Sequence, residues 1–86
     1  DINRPDSWDE ETPLFVATKE DRLEIVHILL LQKGIDVNQP DIIGRTPLHI
    51  ACEKRNVEII QALLKVEGID VKKQDKSGKT PLTLIK

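Results

Sequence analysis

The tripeptide Thr-Pro-Leu occurs three times, at Thr12-Pro13-Leu14, Thr46-Pro47-Leu48 and Thr80-Pro81-Leu82, with a spacing of 34 residues each time. Other marks keep the same phase. Leu23-Glu24-Ile25-Val26 answers Val57-Glu58-Ile59-Ile60, Leu29-Leu30 answers Leu63-Leu64, and Gly34-Ile35-Asp36-Val37 answers Gly68-Ile69-Asp70-Val71. A period of this length means one supersecondary unit stacked on copies of itself, because a single unit is too small to bury its own apolar face.

Each unit has a local reading. A Thr hydroxyl can accept an amide bond at the start of a helix, and Pro fits the first helical position, where its missing N–H costs nothing. Helices are therefore expected to begin near residues 12, 46 and 80. A first short helix, about Pro47 to Lys54, should end near Arg55-Asn56. A second follows at once, with Val57, Ile60, Leu63 and Leu64 as its apolar stripe and Leu23, Val26, Leu29 and Leu30 as the counterpart one unit earlier. Gly34 and Gly68 are expected to stop the second helices as left-handed caps. Asp41-Ile-Ile-Gly44 and Asp75-Lys-Ser-Gly78 read as tight turns. The unit is helix, turn, helix, then an extended finger that doubles back.

With 86 residues and only Trp8 and Phe15 as aromatics, the core has to be a thin layer of Leu, Ile, Val and Ala in a single small domain. Cys52 is the only cysteine, so no disulfide staples the chain, and a reducing compartment, cytoplasm or nucleus, is expected. No apolar run reaches the roughly 20 residues of a membrane span, and the acidic start has no signal character, so a soluble chain without membrane contact is expected. The net charge is −2, but residues 1 to 24 hold eight acids against three bases, whereas 65 to 86 hold six bases against three acids. That balance gives no general attraction for nucleic acid or anionic membrane.

Thr46-Pro47-Leu48-His49-Ile50-Ala51 carries the T-P-L-H-x-A pattern, and with Asp41, Gly44, Gly68, Asp70 and Val71 the chain resembles the ankyrin repeat family. The resemblance implies an all-α solenoid of antiparallel helix pairs with β-hairpin-like fingers. One domain, 1 to 86, would comprise a first repeat at about 6–40, a second at about 41–74 and part of a third at about 75–86. Asp1-Ile2-Asn3 resembles Asp36-Val37-Asn38, as though an earlier repeat had just ended, so flanking repeats in a longer parent protein are expected. Three departures stand out. The spacing is 34 where the family's usual unit is 33, which predicts a longer turn near Gln32-Lys33 and Val66-Glu67. Asp21 and Arg55 stand where the family places Gly between helices. The first finger, from Asp6 to Thr12, lacks Gly, so an irregular tip is expected.

The resemblance makes His49 a structural clasp to the Thr hydroxyl and neighbouring backbone, and Phe15 and Thr83 occupy its equivalent places. Cys52 lies three residues on, but a small buried cysteine reads as packing. His27, His49 and Cys52 lack zinc spacing. Asp9-Glu10-Glu11 reads as a solvated acidic turn, and no phosphate loop or hydrolase motif occurs. No catalytic residue, metal, cofactor or small-molecule substrate is expected. Lys72, Lys73, Lys76 and Lys79 form the densest basic stretch; without interleaved aromatics they read as solvated finger residues before nucleic-acid contacts.

Packing positions recur along a stack, while outward positions are free to vary. Finger positions read Ser7, Trp8 and Glu11, then Ile42, Ile43 and Arg45, then Lys76, Ser77 and Lys79. First-helix ends read Lys19 and Glu20, then Glu53 and Lys54. The resemblance places these on a concave partner-binding face, so a non-catalytic protein–protein interaction module, a scaffold by class, is expected. A structural spacer or intramolecular brace is the alternative. Trp8 and Arg45 are of types favoured in binding hot spots. The adjacent Ile42 and Ile43 read equally as anchors or as packing between fingers. The acidic first and basic third fingers call for a partner of opposite polarity along its length.

Overall fold

The computed structural model describes residues 2–5 and 8–85. The finger position at Ser7, and Asp1 of the Asp1-Ile2-Asn3 echo, lie outside the described residues. Helices α1 (Pro13–Lys19), α2 (Leu23–Leu30), α3 (Pro47–Glu53) and α4 (Val57–Leu64) precede a 3₁₀ turn, Pro81–Leu84.

The first two Thr-Pro copies start helices by the expected device. Thr12 Oγ1 accepts the Phe15 amide at 3.2 Å, and Thr46 Oγ1 accepts that of His49 at 3.4 Å. The third copy differs. Thr80 forms no side-chain cap, and the Thr83 amide and hydroxyl both donate to the Thr80 carbonyl, at 3.1 and 2.7 Å. The expected third helix is therefore a single 3₁₀ turn, too short to support a run of i to i−4 bonds.

Asp21 and Arg55 take φ of +59° and +56° between the paired helices. The chain keeps the left-handed residue that the family usually makes Gly. The glycines after the second helices act differently from expectation. Helices α2 and α4 stop at Leu30 and Leu64, and their caps, Leu31 and Lys65, are still right-handed. Gly34 and Gly68, at φ +84° and +88°, serve later turns closed by Ile35 N–H on Gln32 O at 3.3 Å and Ile69 N–H on Val66 O at 3.2 Å. The residue in excess of 33 is absorbed by these successive turns.

Helix α1 packs on α3, α2 on α4, each helix on its own partner, and α3 also on the 3₁₀ turn. Leu14, Val26, Ile59 and Leu63 are fully buried between them, beside Ala17, Leu48 and Ala51. The stripe expected on α4 is corrected by this packing. Ile59 and Leu63 face α2, whereas Val57 and Leu64 stay 61% and 49% exposed. On α2 only Val26 is fully buried, with Leu23, Leu29 and Leu30 at the margin of the core.

The fingers are turns and not β-hairpins: the described residues hold no strand. In the second, Asp41 N–H donates to Arg45 O at 2.8 Å and Gly44 N–H to Asp41 O at 3.0 Å. Asp75, Gly78 and Lys79 repeat this at 2.9 Å in both bonds. The first tip, expected to be irregular, puts Glu10 at φ +63° where its successors have Gly44 and Gly78.

Candidate partner-binding face

The finger tips are built by an acid that caps its own turn. Asp41 Oδ1 accepts the amides of Ile43 at 3.1 Å and Arg45 at 2.8 Å, and Asp75 Oδ1 accepts those of Ser77 at 2.8 Å and Lys79 at 2.9 Å. The Lys79 amide, then that of Ser77, holds the Asp75 carboxyl below its ordinary value, because both bonds favour the charged form. Successive tips touch through backbone. Ile42 N–H donates to Asp9 O at 2.8 Å, and Lys76 N–H to Ile43 O at 3.0 Å. Gly44 permits this approach, since a Cβ there would meet Lys76 N at 3.0 Å and Asp75 Cα at 3.1 Å. Trp8, Ile42 and Lys76 thus occupy one repeated position, and Glu11, Arg45 and Lys79 another.

Side chains at these positions divide sharply by exposure. Trp8 is 85% and Ile43 47% exposed, and Lys76, Ser77 and Lys79 are exposed, whereas Ile42 is half-buried. Several charges of the face are engaged within the chain. Glu11, 9% exposed, accepts from Lys19 Nζ at 2.6 Å, and this bond raises the Lys19 ammonium above its ordinary value. Arg45 donates through Nε and a terminal nitrogen to Asp41 Oδ2, at 3.1 and 2.9 Å, with its guanidinium carbon 5.5 Å from the Phe15 ring centre. Lys54 pairs with Asp21 at 3.1 Å and also donates to the Lys19 carbonyl. With the Asn56 amide, which contributes most, Lys54 keeps the Asp21 carboxyl below its ordinary value. Glu20 and Glu53 remain exposed. Glu11, Lys19 and Glu20 meet around one hollow with Val16 and Ile25, while Glu53 and Lys54 stand at the end of α3.

His49 is a clasp. The Thr46 amide donates to Nδ1 at 3.0 Å, and a backbone amide can only donate, so the ring proton is on Nε2, which donates to Lys79 O at 2.9 Å. Nδ1 thereby fixes the ring to the start of its own helix, and Nε2 joins the second repeat to the third finger. One unit earlier, Phe15 stands at this place, and the Arg45 guanidinium over its ring takes over the joint. Cys52 is 3% exposed, and burial pushes its thiol up, away from the reactive thiolate. His27 is exposed, and no group of His, Cys, Asp and Glu among the described residues gathers as a metal site. No helix among them is long and apolar enough to cross a membrane.

Two features escaped the sequence reading. Ile28 and Leu31 are 59% and 84% exposed on or just after α2; the signal was that their counterparts in the next unit are Ala62 and Lys65. An apolar hollow lined by Leu48, Cys52, Ile60, Leu64, Leu82 and Ile85 opens on the far side of α3 and α4 from the first repeat.

The alternation of helix pairs and capped finger turns at a fixed spacing has counterparts among known proteins. A family model described as ankyrin repeats in many copies matches residues 30–85, and a single ankyrin repeat model matches residues 9–42. No curated protein matches the chain. Ankyrin repeats are generally non-catalytic protein–protein interaction modules. The chain belongs to the ankyrin repeat family.

Proposed function

We propose that the protein is a non-catalytic recognition segment of an ankyrin solenoid, holding a protein partner on its finger and first-helix side in a reducing compartment. The observation that carries this is a fixed backbone under variable side chains. The second and third finger turns repeat their hydrogen bonds, yet the tips present Trp8, then Ile43, then Lys76 and Lys79 to solvent. Ile43, already held on a hydrogen-bonded turn, loses little ordering entropy on binding, and Trp8 adds a large exposed aromatic surface. Arg45, Glu11, Lys19 and Lys54 support the scaffold beneath, and Ile42 seats the finger.

The test is paired capture from cell lysate with the wild-type protein and a Trp8→Ala/Ile43→Ala variant of matched melting temperature. Capture that depends on these two residues supports the finger face, and equal capture by both proteins removes it.

A second reading, that the segment braces flanking repeats or another domain, rests on the hollow of Leu48, Ile60, Leu64 and Leu82, with Leu82 68% exposed. Sedimentation separates the two: a monomer with a sharp melt disfavours the brace, and self-association through that hollow favours it.

A further inference from the structure

The finger face offers two kinds of surface in sequence, and the internal pairing of charges decides which kinds. The contacts Ile42 N–H to Asp9 O and Lys76 N–H to Ile43 O set the three tips side by side, with Trp8 on the first, Ile43 on the second and Lys76 on the third. The first two are exposed and apolar. At the third tip the carboxylates bind backbone amides and not the lysine ammonium groups: Asp70 Oδ1 accepts the Lys72 amide at 3.0 Å, and Asp75 Oδ1 accepts the Ser77 and Lys79 amides. Lys72, Lys76 and Lys79 are exposed, and none of them forms an ion pair among the described residues.

At the opposite end the charge is of the other sign. Glu10 is exposed on the first tip, while Lys19, which reaches that finger, is held by Glu11. A ligand lying across the tips therefore meets a first tip that carries Trp8 and Glu10, a second that carries Ile43 and a third that carries the lysines.

Resting on the finger-face reading above, we propose that the partner is a protein segment in extended form that places apolar side chains over Trp8 and Ile43 and acidic side chains against Lys76 and Lys79. Complementary charge sets its direction, since the reversed segment puts carboxylates against the first tip, where Glu10 is exposed. A nucleic acid strand fits less well. Its phosphates would have to continue past Ile43 onto the first tip and its exposed Glu10, and no aromatic side chain is interleaved with the lysines to stack bases.

Trp8 is the only tryptophan, so its emission reports directly on the tips. The probes are three synthetic ten-residue peptides, two Leu followed by four Glu, two Leu followed by four Lys, and four Glu followed by two Leu, the balance being Gly and Ser, together with a dT10 oligonucleotide. The expected result is a saturable blue shift with the Leu-then-Glu peptide, weakened by salt and weaker by about tenfold in a Lys76→Glu/Lys79→Glu protein. That variant should come to prefer the Leu-then-Lys peptide. Equal binding of acidic and basic peptides, no shift with any peptide, indifference to the lysine reversal, or tighter binding of dT10 overturns the proposal. The lysate capture separates this failure from that of the face itself. A partner lost on Trp8→Ala/Ile43→Ala but kept on Lys76→Glu/Lys79→Glu leaves the face standing and removes the acidic segment, whereas capture indifferent to both variants removes both.

Discussion

Gly44 shows how much can hang on one residue. It needs a positive φ, and its missing side chain leaves room for the backbone of the third finger. Gly78 shares the conformation, at φ +81°, but a Cβ there meets nothing within 4 Å. Left-handed backbone costs an L-residue about 1–2 kcal/mol, so Gly78→Ala is expected to lose roughly that. Gly44→Ala should lose visibly more, as measured by urea unfolding of the two variants side by side. Asp75 makes a different prediction. Its folded carboxyl lies below the unfolded value of 3.8, so its contribution is present above that value and is lost as pH falls through the folded one. The melting temperature should be level from neutrality to about pH 5 and fall below about pH 4, and Asp75→Asn should make that fall shallower. Asp21, lowered by Asn56 and Lys54, titrates in the same direction.

Among the elements, helices of one type sit in unequal surroundings. Ile25 and Ile59 hold the same repeat position on α2 and α4, yet Ile25 is 47% exposed and Ile59 fully buried, because α4 has α2 to cover it on that side. Ile59→Ala is expected to cost about 2–5 kcal/mol and Ile25→Ala well under half as much, a difference that chemical denaturation will read. The interhelix turns allow a gain. Arg55 at φ +56° has no side-chain hydrogen bond or ion pair among the described residues, so Arg55→Gly relieves a strained backbone and should raise stability by about 1 kcal/mol. Asp21→Gly should not, since it also removes the bonds from Asn56 and Lys54.

In the whole molecule, cohesion comes from joints between neighbours. Asn3 links to the next turn through Gly34 O and the Asp36 amide, at 2.8 and 2.7 Å, and Asn38 repeats the link to Gly68 O and the Asp70 amide, at 2.8 Å in both bonds. The next place in this ladder is Lys72. On the finger side the Arg45–Phe15 contact joins the first repeat to the second, and the His49 clasp joins the second to the third. Helix α3 is held from both sides, with Pro47 to Cys52 all buried. Its amides should therefore exchange slowest with solvent, and those of α2 and the 3₁₀ turn markedly faster, in a native-state hydrogen-exchange measurement.

Period, the first two helix starts, the second and third finger turns and the structural part of His49 were legible in the sequence, because each depends on residues within a few positions or on the recurrence itself, whereas the third Thr-Pro-Leu made only a 3₁₀ turn. Thr46 with Pro47, and Asp41 with Gly44, carry their conformations locally. Tertiary structure decided what recurrence cannot distinguish: that Ile59 is core while Ile25 is half open, that Ile42 seats a finger while Ile43 faces water, and that Phe15 calls on Arg45 where His49 needs only a carbonyl. It also decided which charges of the finger face are available, since Glu11 and Lys19, or Asp21 and Lys54, find one another only when separate segments are brought together. Burial and pairing depend on neighbours supplied by the fold, whereas conformation at a turn depends mainly on the residues that form it.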